Sequence, residues 1–159
     1  MRSLIGLVLL TLGLCSSFVE AADSKETPEI VFRRYIRLMR EDKPDEAKLL
    51  IAKAEKAHPE TIKLHIENDL QTFQRRSFLV RQGKSQGDCA LVLICEDSDV
   101  DPGYCLRIDG RWHVVLADLD DPDFGLTERQ KADFETLKAW FNANERELKK
   151  KYTLPRKGR

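Results

Sequence analysis

The sequence predicts an α+β fold, with N-terminal helices packed on a curved, cone-like antiparallel sheet, plus a long C-terminal helix. Three observations carry that reading. Three Pro-led segments near the start have helical apolar spacing. The middle of the chain switches to extended runs punctuated by turn residues, and Asp109-Gly110 is its clearest hairpin turn. The third is a capping box, Thr127-Glu128-Arg129-Gln130, that opens a last helical stretch.

Each helix start places Pro where no N–H partner is lost and follows it with an acid: Pro28-Glu29, Pro44-Asp45 and Pro59-Glu60. The first helix, residues 28–41, buries Val31, Phe32, Tyr35, Ile36, Leu38 and Met39 and leaves Arg33, Arg34, Arg37 and Arg40 to water. The second, residues 44–56, presents Ala47, Leu50, Ile51 and Ala54. The third, residues 59–75, aligns Ile62, Ile66, Leu70 and Phe73.

Extended chain follows at residues 78–80, with a turn across 83–87. The run Cys89-Ala90-Leu91-Val92-Leu93-Ile94-Cys95 is apolar throughout, so this strand is covered on both faces. Residues 96–104 read as a hairpin loop, and residues 104–108 and 111–118 as two strands joined by Asp109-Gly110. A two-residue turn sets Arg107 opposite Trp112 and Cys105 opposite Val114, with Arg107 over the indole. The final helix, residues 128–152, carries Phe134, Leu137, Trp140, Phe141 and Leu148. It is expected on the other face of the sheet or in a homodimer interface.

A chain of 159 residues has the length of one folded domain. With 27 basic and 27 acidic residues there is no global field to attract nucleic acid, and none is expected as a partner. Residues 1–21 read as a secretory signal: Arg2 precedes an apolar run at 4–14, and Val19-Glu20-Ala21 puts small residues at the cleavage positions. A run of about 11 residues is short of the roughly 20 that span a bilayer, so no integral segment is expected after cleavage. The expected organisation is a signal at 1–21, the α+β domain at 22–125, the helix at 126–152 and a basic, solvated tail at 153–159. The destination is periplasmic or extracellular.

Cys89, Cys95 and Cys105 would then meet an oxidising compartment. Cys95 and Cys105 flank the expected hairpin loop and form the preferred disulfide, with Cys89 a small buried hydrophobe. No Cys-x-x-Cys or Cys/His spacing suits zinc, and no phosphate loop, nucleophile elbow or His-Glu-x-x-His is present, so no metal or cofactor is expected. The triplet Asp97, Asp99 and Asp101 begins like a calcium loop. Pro102 then stands where the turn glycine belongs, and a solvated loop is the better reading. Asp118, Asp120, Asp121 and Asp123 read as a strand-to-helix connection.

The element order and local wording resemble the nuclear transport factor two-like superfamily, also called cystatin-like or ketosteroid-isomerase-like, in particular its small exported bacterial members of unassigned function. The resemblance rests on Thr27-Pro28-Glu29-Ile30-Val31-Phe32-Arg33-Arg34-Tyr35, on Asp42-Lys43-Pro44-Asp45-Glu46-Ala47, and on Arg107-Ile108-Asp109-Gly110-Arg111-Trp112. It implies a curved sheet wrapped around a helix with a cone-shaped cavity between them; the long last helix is not part of that pattern.

The expected function is an exported, non-catalytic binding module holding a small apolar ligand or a protein partner in that cavity, with Tyr35, His65 and Trp112 as pocket groups. The alternatives are an isomerase- or dehydratase-like enzyme with His65 or Asp118 as base, and a structural or dimerisation role. His113 and Asp118 fall on opposite faces of one strand, which separates them as an acid–base pair.

Overall fold

In the computed structural model the described residues are 26–52, 59–96, 99–116, 119 and 124–152. The signal at 1–21, Cys15, His58, Asp97, Asp118, Asp120, Asp121, Asp123 and the tail at 153–159 lie outside them.

Helix α1 (Pro28–Arg40) begins where the Thr27 hydroxyl accepts the Ile30 N–H at 3.3 Å. It ends where Asp42 adopts a left-handed φ of 58°, which an aspartate tolerates better than most residues. Its apolar stripe, Val31, Phe32, Tyr35, Ile36, Leu38 and Met39, is buried as the spacing predicts.

Helix α2 (Pro44–Lys48) is much shorter than the 44–56 expected. The chain leaves helical geometry to serve the sheet: Ile51 bridges in parallel to Val114, the Ala52 N–H donates to Val114 O at 2.8 Å, and Val114 N–H donates to Leu50 O at 2.7 Å. Pairing with an otherwise open strand edge outcompetes a helix of modest propensity. Helix α3 (Pro59–Arg75) keeps its expected bounds and has α1 as its main packing partner.

The sheet is a curved, unclosed antiparallel meander of four strands in the order β1 (Leu79–Gln86), β2 (Cys89–Cys95), β3 (Val100–Ile108), β4 (Arg111–Val115). Two expectations are corrected. The strand expected to stop near residue 80 runs on to Gln86, with a bulge at Gly83 in place of the turn expected across 83–87. The turn is Gly87-Asp88 alone, with Gly87 at φ 57°. Likewise β3 starts at Val100, so Pro102 and Gly103 belong to the strand rather than to a loop reaching 104. Proline is admissible there because β4 ends opposite Tyr104, leaving β3 unpaired on that side beyond it. The Asp109-Gly110 turn has both residues at positive φ, and its register sets Arg107 opposite Trp112 and Cys105 opposite Val114.

Two cores flank the sheet. On one face α1 covers Val80, Ala90, Val92, Cys105 and Val114, with Ile66 and Phe73 of α3 in the same cluster. On the other, α4 (Glu128–Tyr152) sets Phe134, Leu137, Phe141 and Leu148 on Cys89, Leu91, Leu93, Cys95 and Leu106. The α4 capping box is reciprocal: Gln130 N–H donates to Thr127 Oγ1 at 3.2 Å, and Thr127 N–H donates to Gln130 Oε1 at 2.9 Å.

Gly103 sets how closely α1 approaches the sheet. A Cβ there would fall 2.7 Å from Cε2 and Cζ of Phe32. Gly103→Ala is expected to lower stability by about 1–3 kcal/mol through overpacking. Urea midpoints should show the loss and its partial recovery in Gly103→Ala/Phe32→Leu, where the smaller side chain makes room.

Candidate functional site

Tyr35 is fully buried on α1, with its ring set edge-on between Phe32 and Phe73. Its hydroxyl donates to Asp69 Oδ2 at 2.8 Å across the α1–α3 contact. Asp69 was not singled out in the sequence, where it reads as one more polar residue on an amphipathic helix. His65, one turn before it, is half-buried and acts electrostatically on the same carboxylate.

Burial pushes the Asp69 carboxyl above the usual range, outweighing the hydrogen bond from Tyr35 and the charge of His65, which act the other way. Burial, then the neighbouring Asp69, pushes the Tyr35 phenol far upward, so it stays a neutral donor at any physiological pH. The group therefore ties two helices together. None of its members lines either of the two surface recesses described below.

Trp112 is half-buried at the margin of the same core, with the Arg107 guanidinium 5.4 Å above its ring. Arg107 is held in turn by Asp88 Oδ1 at 2.8 Å. Trp112 sits on β4 and His65 on α3, and each of those elements packs on α1. Between α1 and the sheet, where a cone-shaped cavity was expected, Val31, Phe32, Tyr35 and Met39 pack in one buried cluster with Val92, Cys105 and Val114. Tyr35 is thus corrected from a pocket wall to a core residue.

The Cys95–Cys105 bridge is also corrected. Cys95 pairs with Val100 and faces α4, whereas Cys105 pairs with Ala90 and faces α1, so the sheet separates the two sulfurs. All three described cysteines are free and buried. Burial pushes the Cys105 thiol up to about 12. The Cys89 thiol also reaches about 12, from burial first and then Asp133 and Asp88. His113, on the α4 side, is held below its ordinary value by burial and then by Arg111; its Nδ1 has no hydrogen-bond partner. Among the described residues no group of three or more His, Cys, Asp or Glu is placed to hold a metal, and no described helix is long and apolar enough to cross a membrane.

A concavity with mixed chemistry lies elsewhere, on the surface between α1 and the start of β1. It measures about 340 Å³; Ile36, Phe78, Leu79 and Val80 supply apolar surface, and Arg33, Arg37, Arg40 and Glu41 surround it. The arginines recur at i, i+4 and i+7, one face of α1. Arg33 pairs with Glu29 and donates to Val80 O at 3.3 Å. Arg37 stands 3.9 Å from Glu41, whose carboxylate is held more closely by Lys43 at 2.9 Å and is kept below its usual range by that lysine. Arg40 has no ion-pair partner among the described residues. A second recess, about 380 Å³, is lined by the last turns of α4 alone, with charges of both signs.

No family model, no curated protein and no solved structure matches this chain.

Two outcomes follow from this geometry. Because the native Asp69 pKa lies above its unfolded value near 3.9, the native state holds the proton more tightly. The stability this contributes is complete below the unfolded value and is lost as pH rises through the native one. Asn keeps an acceptor for Tyr35 without the buried charge. Urea titrations from pH 3 to 8 should therefore show Asp69→Asn gaining on wild type as pH rises, whereas Tyr35→Phe should lose about 1–2 kcal/mol at neutral pH. A constant offset between Asp69→Asn and wild type would refute the sign.

Thiol labelling provides the second. Native protein should leave Cys89, Cys95 and Cys105 unlabelled by iodoacetamide, and denatured protein should label all three without reductant. A cross-linked peptide joining Cys95 to Cys105 would refute the assignment to opposite faces.

Proposed function

We propose that this chain is an exported, non-catalytic binding module whose recognition surface is the groove between α1 and β1, and that it takes a ligand group carrying negative charge beside an apolar body. The carrying observation is the alignment of Arg33, Arg37 and Arg40 around apolar surface from Ile36, Phe78 and Val80. Guanidinium groups suit carboxylate and phosphate oxygens through paired N–H donors, and they are less strongly hydrated than ammonium groups. A recess of about 340 Å³ has the volume of a small-ligand site.

Export rests on Arg2 and the apolar run at residues 4–14. Kinship with the nuclear transport factor two-like superfamily remains part of this proposal, supported by three helices preceding an antiparallel meander. The filled concave face and the helix α4 across the back are departures from what that resemblance implies. They move recognition from the interior to the surface.

The test compares 4-phenylbutyrate with 4-phenylbutanol, which share an apolar body and differ in charge. The acid, at about ten times its Kd, should raise Tm by roughly 3–5 °C. The alcohol should not, and Arg37→Ala/Arg40→Ala should abolish the shift. Equal shifts from both compounds, or none from either, would refute the groove as an anion-selecting surface.

A further inference from the structure

Resting on the reading of the groove as an anion-selecting surface, we infer that its occupant is an acidic, extended segment of a partner protein, which adds as a strand to the outer edge of β1 over residues 79–82 and sets its carboxylates against Arg33, Arg37 and Arg40.

Four observations converge on a peptide. β1 is the terminal strand of the sheet, and no described residue pairs with its outer edge, whereas the opposite edge at β4 is closed by Ile51. The groove includes the first residues of that edge, Leu79 and Val80, so main-chain hydrogen-bonding groups and side-chain recognition lie side by side. The Val80 carbonyl already accepts from Arg33, a donor outside the sheet. An incoming N–H can take over that acceptor, leaving Arg33 to share its donors between Glu29 and an incoming carboxylate.

Length supplies the fourth. From Arg33 to Arg40 the helix rises roughly 10 Å, the span of about three extended residues. On β1 the regular register also ends after Gln82, where the bulge at Gly83 breaks the ladder. Beyond it the half-exposed Lys84 sets its ammonium over the Trp140 ring of α4, 5.9 Å from its centre, on the face away from the groove. Alternation does the rest: Val80 faces α1 while Leu79 faces the α4 side, so an added strand directs every second side chain toward the arginines. Recognition then requires acids at i and i+2.

The probe is a fluorescein-labelled octapeptide of alternating Glu and Val, read by fluorescence anisotropy against the whole protein. Saturable binding is expected, weakened at least tenfold by Arg37→Glu/Arg40→Glu and largely retained in Arg37→Lys/Arg40→Lys. Circular dichroism of both variants checks that they fold. Replacing Glu by Lys in the peptide should abolish binding. A peptide N-methylated at alternate residues keeps its charges but cannot pair along a strand edge, and it should also lose at least tenfold. Binding of the N-methylated peptide at full strength would overturn strand addition. Failure of the Glu/Val peptide in protein that 4-phenylbutyrate still stabilises would overturn the peptide occupant and leave the groove a small-ligand site. Failure of both probes would overturn both readings.

Discussion

β2 presents no polar face to water. Its seven residues alternate between two cores, Ala90, Val92 and Ile94 toward α1, and Cys89, Leu91, Leu93 and Cys95 toward α4. A strand of this kind is stable only when apolar surface covers it on both sides, so one sheet must carry a helix layer on each face. That requirement places α1 and α4 on opposite sides and leaves α3 outside, with α1 as its main support. It also makes α4 part of the folded unit, because without it Leu91, Leu93 and Cys95 would lose their cover.

The same constraint decides what happens to the concave face. A curved sheet wrapped over a helix encloses a hollow when the helix stands away from it. Here Gly103 presents no side chain to hold α1 off, and Phe32 comes down against the backbone at that point. Tyr35 and Met39 enter the core with it, and the interior closes. Tyr35 then meets a constraint of its own: a buried hydroxyl needs a partner, and Asp69 supplies it from α3. The carboxylate resists leaving water, which is why its proton is held tightly and why a contact that unites two helices also makes their docking sensitive to pH.

Much of this was legible in the residues. Prolines with trailing acids mark the starts of α1 and α3, the Thr127–Gln130 box marks α4, and Asp109-Gly110 determines a register that the structure reproduces pair by pair. What local spacing could not supply was anything decided by distant partners. Residues 50–52 leave the second helix because Val114 offers an open edge. Pro102 enters a strand because β4 is too short to demand its missing N–H. The cysteine pairing failed on register: once β3 starts at Val100, Cys105 lies five residues further along and on the other face. Asp69 and the groove were hidden for a related reason, since a half-buried acid and an arginine stripe look in sequence like any solvated helix face. His65 was read as a pocket group or a base, whereas Asp69, the carboxylate it acts upon, was not read at all.

The arginine stripe shows why a polar face is not by itself a solvent face. Arg34 and Arg37 are similarly exposed on the same helix, yet only Arg37 shares a concave boundary with Phe78 and Val80. Charge beside apolar surface differs physically from charge in open water, because an occupant that covers the apolar wall also excludes solvent from the guanidinium and strengthens each contact made there. Glu41 illustrates the point from within the chain. It is the acid that lines this boundary, yet Lys43 holds it more closely than Arg37 does, so it competes only weakly for Arg37, whereas Arg33 is paired with Glu29. Planar donors only partly neutralised, with Arg33 paired to Glu29, Arg37 reaching Glu41 at 3.9 Å and Arg40 without an ion-pair partner among the described residues, lie next to an unpaired strand edge and satisfy two separate requirements for recognising an extended acidic chain.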